Sequence, residues 1–448
     1  MLSNEDISKS GVQFVQENGF LRIIWWCLWV SSILLLTFQY KYIDGTRTSF
    51  LYGQYIFFFF TLISSVFIIL NFRKYFLRKE VRDFAIFSLC LSGVIGLSAA
   101  LGLTPFAGIR LLVIILVTSF PFVLLGLLGE LMPYKRIMEP IVGMIIFCVF
   151  TTWLLTITGP IALMNVIFDN HLFGDAWRWA FLFNEANDYG WMLSAGFTAT
   201  LYQLSVSRSI RFKVIAYMVL IPFMLITSWM TNSRSASAWL ILSCIMYLAL
   251  YLRTSFLHKN STKYFIFGFI FTFLIITFLI LFNWENIFSF FRLDKIKMND
   301  FTTGRMQIWL VIFEEIKKHP FLGYGFAATP IITEGLPNEG IRPALTGPLN
   351  TFVGISGESG LLGLFALLVL WVGAIFKAWN VFKEELNYKN DSFYFAFFLI
   401  VMLIGMAIQQ NGEWQVLRVT SFNFLFFFLI SSAWALKKSQ KHSLIPNS

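Results

Sequence analysis

The chain alternates between apolar runs about as long as a bilayer is thick and short polar stretches. The runs cover residues 21–38, 51–72, 84–103, 111–128, 141–157 and 189–204 in the first half. They continue over 214–229, 236–252, 264–282, 351–376, 393–408 and 416–436. Backbone N–H and C=O groups in lipid must be satisfied within their own segment, so each run predicts a transmembrane helix. The pattern predicts an all-α polytopic membrane protein with about 12 transmembrane helices. The run at 189–204 is the least apolar, because it carries Ser194, Thr198 and Thr200. The N-terminus is polar to about Asn18 with no small-residue cleavage site after the first run, which predicts a retained helix.

Lys and Arg are distributed unevenly over the connections. One set, including the two ends of the chain, carries 21 basic residues, among them Arg73, Lys74, Arg78, Lys79 and Arg82. The short connections of the other set carry 6: Lys41, Arg47, Arg110, Arg178, Arg234 and Arg418. Cytoplasmic loops hold the basic excess, so both termini are expected in the cytoplasm and an even number of spans follows. The expected location is a bacterial inner (cytoplasmic) membrane. Three parts are expected: residues 1–282 with helices one to nine, a loop at 283–350 on the far side, and residues 351–448 with helices ten to twelve and a cytoplasmic tail.

That loop is about 70 residues long and not low in complexity, and such loops usually carry function. Its centre predicts an amphipathic helix with Thr303 as N-cap and Met306, Trp309, Phe313 and Ile316 on one face. His319-Pro320 ends it, and Gly323-Tyr324-Gly325 makes a turn. A helix lying at the membrane surface over a cavity fits this pattern, as does a plain interfacial spacer.

Composition narrows the function. At 57% hydrophobic and 13% charged the chain is far from a soluble domain, and the net charge of +10 sits at run ends rather than in a nucleic-acid-binding stripe. Cys27, Cys90, Cys148 and Cys244 all lie inside apolar runs, where cysteine is a small hydrophobe. There is no Walker A loop, dinucleotide-binding glycine triplet or zinc spacing, which excludes an ATP-driven transporter and leaves no cofactor implied. No acidic cluster offers a metal site, so any catalysis is expected to be metal-independent.

Candidate chemistry lies at the outer edges of the runs. Arg234 stands among small and hydroxyl residues in Ser233-Arg234-Ser235-Ala236, an environment suited to a bidentate grip on an anion. Arg305 opens the amphipathic helix, where free N–H groups also favour an anion. Two such arginines could together hold a pyrophosphate; the alternative for each is a snorkelling interfacial arginine. Asn187, in Asn184-Glu185-Ala186-Asn187-Asp188, could bind a sugar or cap a helix. Glu358 is a carboxylate inside an apolar stretch, expected either to pair with an arginine or to have a raised pKa.

In order along the chain, these motifs bear a family resemblance. Asn184 to Asn187, Thr231 to Ala236, Thr303-Gly304-Arg305 with Trp309, His319-Pro320-Phe321-Leu322-Gly323-Tyr324-Gly325, Asn350-Thr351 and Glu358-Ser359-Gly360-Leu361-Leu362-Gly363 span about residues 180 to 365. The set resembles the O-antigen ligase and polymerase superfamily of bacterial membrane glycosyltransferases. The first 150 residues or so resemble that family only in hydropathy. The resemblance implies a GT-C-like fold and a multi-pass enzyme of polysaccharide or lipopolysaccharide biosynthesis. Its substrate would be an undecaprenyl-pyrophosphate-linked oligosaccharide in membrane lipid, a chain-length regulator protein a possible partner, and no nucleic acid is involved. It further implies that Arg234 and Arg305 neutralise the leaving pyrophosphate and that the anomeric centre inverts. Asn187, Ser233, Ser235, Thr303, Trp309, Tyr324 and Asn350 would line the substrate.

The chain departs from the family's ligases at one place. They have His-Asn at the mouth of the tenth span; here the pair is Leu349-Asn350. Leucine cannot act as a base, so Glu358 or His319 substitutes, or the leaving group makes a strong base unnecessary. The departure favours a repeat-unit polymerase over an O-antigen ligase or a protein O-oligosaccharyltransferase. From another class, a lipid-linked oligosaccharide flippase or transporter would be expected to show internal repeats, and none is visible.

Overall fold

A computed structural model describes residues 19–32 (except 20), 41–42, 51–73, 78–129, 134–158, 161–163, 166–168, 186–255 (except 208 and 232), 305–333, 350–410 and 416–436 (except 419). The architecture is all-α. The helices are α1 (Leu21–Ser32), α2 (Leu51–Phe72), α3 (Lys79–Leu101), α4 (Pro105–Leu127), α5 (Tyr134–Thr158) and α6 (Ala186–Val206). Next come α7, which runs through Ile210–Ile215, a π turn at Ala216–Leu220 and Ile221–Thr231, and α8 (Arg234–Ser255). The short loop helices α9 (Arg305–Lys318) and α10 (Thr329–Thr333) precede α11 (Thr351–Glu384), α12 (Asp391–Gln410) and α13 (Ser421–Ala435).

Among the described residues seven helices are long and apolar enough to cross a membrane, and three shorter apolar helices accompany them. Residues 264–282 and 33–38 lie outside the described residues; otherwise each predicted run overlaps a described helix, the last one over Ser421–Ala435. Many carry an exposed apolar stripe, such as Phe59, Leu89, Leu116, Phe150 and Phe365, as contact with lipid requires. The least apolar run has a different explanation. Helix α6 is buried almost all round from Tyr189 to Thr200, so its hydroxyls meet protein instead of lipid. Ser194 Oγ donates to Ala236 O at 2.9 Å, and Thr198 Oγ1 and Ser243 Oγ are 2.8 Å apart.

The core is aromatic. Trp25 stacks on Phe428 with centroids 4.3 Å apart, and Phe122 on Phe424 at 4.9 Å. Of the cysteines only Cys148 is buried; Cys27 and Cys90 are exposed and Cys244 is half-buried, so two of them face outward from the bundle.

Contacts between connections pair like with like, as alternating helices demand. On one face Gly102 lies against Gly325, Ser421 Oγ donates to Ser32 O at 3.0 Å, and β1 (Lys41–Tyr42) pairs with β3 (Val166–Phe168). With β2 (Ile161–Leu163) these form a three-stranded antiparallel ribbon in the order β1-β3-β2, which the apolar runs do not predict. On the opposite face Arg22 Nη2 lies 2.5 Å from Glu139 Oε2, Tyr134 stacks on Phe395, and Lys389 Nζ donates to Thr254 O at 3.2 Å.

Candidate functional site

The loop face is organised around a break in α11. Gly360 has φ +67° and ψ −173°, which a helix does not tolerate. The break frees carbonyls and amides, and the segment after α9 takes them up. Tyr324 N donates to Gly357 O at 3.0 Å and Gly325 N to Glu358 O at 3.1 Å, while Leu361 N donates to Pro320 O at 2.8 Å. From α3, Ser98 Oγ also donates to Glu358 O, and Leu103 N donates to Tyr324 O at 3.0 Å. The His319–Gly325 motif is therefore shaped to fit a broken helix. A Cβ on Gly360 would come within 2.1 Å of Phe321 O.

Helix α9 packs beside this junction through Ile308 and Ile312, which cluster with Tyr324 and Ala328. That corrects the predicted face in part, since Ile316 of that face packs against the same cluster. Phe313 is exposed, Trp309 and Ile316 are half-buried, and Leu310 is exposed. The helix has two apolar stripes, and periodicity finds the stripes without saying which one meets protein. Thr303 and the side chains of Arg305 and Met306 lie outside the described residues; Arg305 is the first residue of α9.

Glu358 sits at the centre of the junction, wholly buried. Its Oε1 accepts from Thr329 Oγ1 at 2.8 Å, and Arg418 Nη2 reaches both carboxylate oxygens at 3.2 and 3.4 Å. Of the two expected outcomes for this carboxylate, the arginine partner is the one observed. Because Thr329 spends its proton on Glu358, Tyr324 Oη donates to Thr329 Oγ1 across 2.9 Å. Burial foremost, and then the Glu358 charge, raises the Tyr324 pKa, which keeps the phenol a neutral donor. The Arg418 guanidinium also lies 5.7 Å from the centre of the Phe326 ring. With both oxygens committed, this carboxylate is better placed to hold the loop than to take a proton. His319 is exposed at the end of α9.

A second group of predicted residues lies where helix ends gather. The first turns of α6 and α8 touch: a Cβ on Gly190 would fall 2.9 Å from Ser233 Cβ and 3.0 Å from Ala236 Cβ. This brings Asn187, half-buried on α6, to the same end of the bundle as Ser233, Arg234 and Ser235. Ser233 is buried, Ser235 half-buried and Arg234 exposed. Asn350 is the N-cap of α11, its Oδ1 accepting from Phe352 N at 2.9 Å and Val353 N at 3.1 Å. The cap is tied to α12, since Thr351 Oγ1 donates to Gln410 Oε1 and Val416 N donates to the same oxygen at 3.2 Å.

Sequence reasoning missed Arg418, which entered only as one basic residue among six, and Thr329, whose hydroxyl gave no signal. It also missed Gln409-Gln410, although a polar pair closing an apolar run is a visible signal.

Residues 216–368 match a family model described as O-antigen ligase. The matched stretch starts at the π turn of α7 and ends in α11, and so includes Arg234, α9 and the broken helix. Comparison with curated proteins gives no match.

Proposed function

We infer that this chain, whose residues 216–368 match the O-antigen ligase family model and whose motifs resemble the ligase and polymerase superfamily, is a repeat-unit polymerase of a surface polysaccharide. It moves a growing glycan from undecaprenyl pyrophosphate to a sugar hydroxyl of the next lipid-linked unit, at the outer face of the cytoplasmic membrane. The transfer inverts the anomeric centre and is metal-independent, with Arg234 and Arg305 neutralising the pyrophosphate as it leaves.

The observation that carries polymerase over ligase is Leu349, directly before the Asn350 cap, where the resembling ligases keep a histidine. A general base contributes about 10²–10⁴-fold, and this position cannot supply one. Two lipid-anchored substrates held in one site gain more from positioning, and pyrophosphate is a good leaving group. We assign Glu358 to holding the loop rather than to proton transfer, because Thr329 and Arg418 occupy its oxygens. A regulator of chain length is the partner this activity calls for.

Deletion of the gene tests the reading. Surface and lipid-linked glycans are compared by gel profile, and the deletion strain is expected to keep single repeat units while losing long polymer. Full-length polymer accumulating on the lipid carrier would instead identify a ligase.

A further inference from the structure

Beside the gathered helix ends lies a buried side chain that the activity above does not use. Gln409 is fully buried on α12, and neither its Oε1 nor its Nε2 has a hydrogen-bond partner among the described residues. A buried amide without a partner is costly, so its retention calls for an explanation.

Its position is set by Gly405, one turn earlier on the same helix face. A Cβ on Gly405 would fall 2.0 Å from Trp239 Nε1, so the α12 backbone rests against the Trp239 indole of α8. The two helices run antiparallel, so one turn from Gly405 toward the loop face on α12 matches one turn from Trp239 back toward the start of α8. That puts Gln409 level with Ser235, beside Arg234. Trp239 Nε1 and Ser233 Oγ, both buried on or beside this turn, also have no hydrogen-bond partner among the described residues. The next residue, Gln410, holds Thr351 and thereby the mouth of α11. Gln409 thus lies on the turn of α12 that follows the Trp239 contact and precedes the residue holding the α11 mouth.

The chemistry of the amide narrows what it binds. A phosphate accepts hydrogen bonds only and would repel Oε1. A group that both donates and accepts satisfies the whole amide, and in a glycan that is a hydroxyl or an acetamido group. We propose that Gln409 is a sugar-reading residue, hydrogen-bonding the first sugar of the carrier-linked glycan while Arg234 holds the pyrophosphate. The proposal rests on the polymerase reading and adds the residue that recognises the sugar. Because the amide is closed off, a sugar meets it only after neighbouring side chains turn aside.

The test uses the full-length protein in nanodiscs and two probes: lipid-linked repeat unit extracted from the deletion strain, and undecaprenyl pyrophosphate without sugar. Gln409→Met, similar in shape and apolar, is expected to weaken binding of the glycosylated probe about tenfold, one neutral hydrogen-bonded group's worth. Binding of the bare carrier should be unchanged, whereas Arg234→Ala weakens both. The melting temperature of Gln409→Met should hold or rise, because the Gln409 amide makes no hydrogen bond among the described residues. Equal loss for both probes, no loss for either, or a large fall in melting temperature without a change in affinity would each overturn the proposal. If the wild-type protein binds neither probe, the polymerase reading itself fails and takes this inference with it.

Discussion

Arg418 and Glu358 show how much one residue pair can decide. Glu358 is fully buried, while the Arg418 side chain keeps 21% of its surface exposed, so the cost of separating them falls on the carboxylate. Arg418→Ala should destabilise the protein by about 3–5 kcal/mol, as removal of one partner of a buried pair does. The double replacement Glu358→Met with Arg418→Met should recover most of that loss. Thermal unfolding in detergent measures both, and an unchanged midpoint for Arg418→Ala would show that the pair does not hold the junction. Arg234 is different: it is exposed at the start of α8, so its removal should spare folding. Arg234→Ala and Arg305→Ala are each expected to cut transfer by about 10²–10³-fold, the scale of losing one preorganised donor. Lys at either position should restore only part, since a point charge lacks the planar fork. Long polymer at normal yield in both Ala variants would place the pyrophosphate elsewhere. At this scale the sequence was half legible. A carboxylate in an apolar stretch announced a partner, but the partner stands 60 residues later, and spacing cannot reach across such a separation.

The elements were easier to read, and where they misled the reason is physical. Hydropathy found the helix ranges because lipid and core both demand apolar residues. It undervalued α6, whose buried hydroxyls bond to their own helix and to α8, and it could not choose between the two stripes of α9. The break in α11 was written in Gly357-Glu358-Ser359-Gly360, yet an apolar helix of 34 residues reads as continuous. Gly360→Ala places a side chain at φ +67° and against Phe321 O, so the 319–325 segment should no longer seat. Limited proteolysis within this segment should become at least several-fold faster than in the wild type. Equal rates would mean that the junction forms without the left-handed residue.

For the whole molecule, pairing of connections carries the argument. The ribbon joins the connection after α1 to the one after α5, and Lys389 joins that between α11 and α12 to the end of α8. Contacts of this kind are expected only if the helices alternate in direction. With the 21-to-6 basic bias, cysteine introduced at His319 should be labelled in intact cells and cysteine at Lys389 only after permeabilisation. A background free of the four native cysteines makes the comparison clean. The reverse pattern would invert the orientation and remove the proposed outer-face site.

The broken helix also bears on the order of synthesis. The segment that fills the break precedes α11 in the chain, while the arginine that neutralises Glu358 lies after α12. A nascent chain therefore meets its own break with the backbone partners already made and the charge still unanswered. Only when the connection before α13 emerges is the carboxylate paired. A chain that stops short of Arg418 leaves this buried carboxylate without its cation, so the junction at the break reaches its final stability only once the last connection has been made.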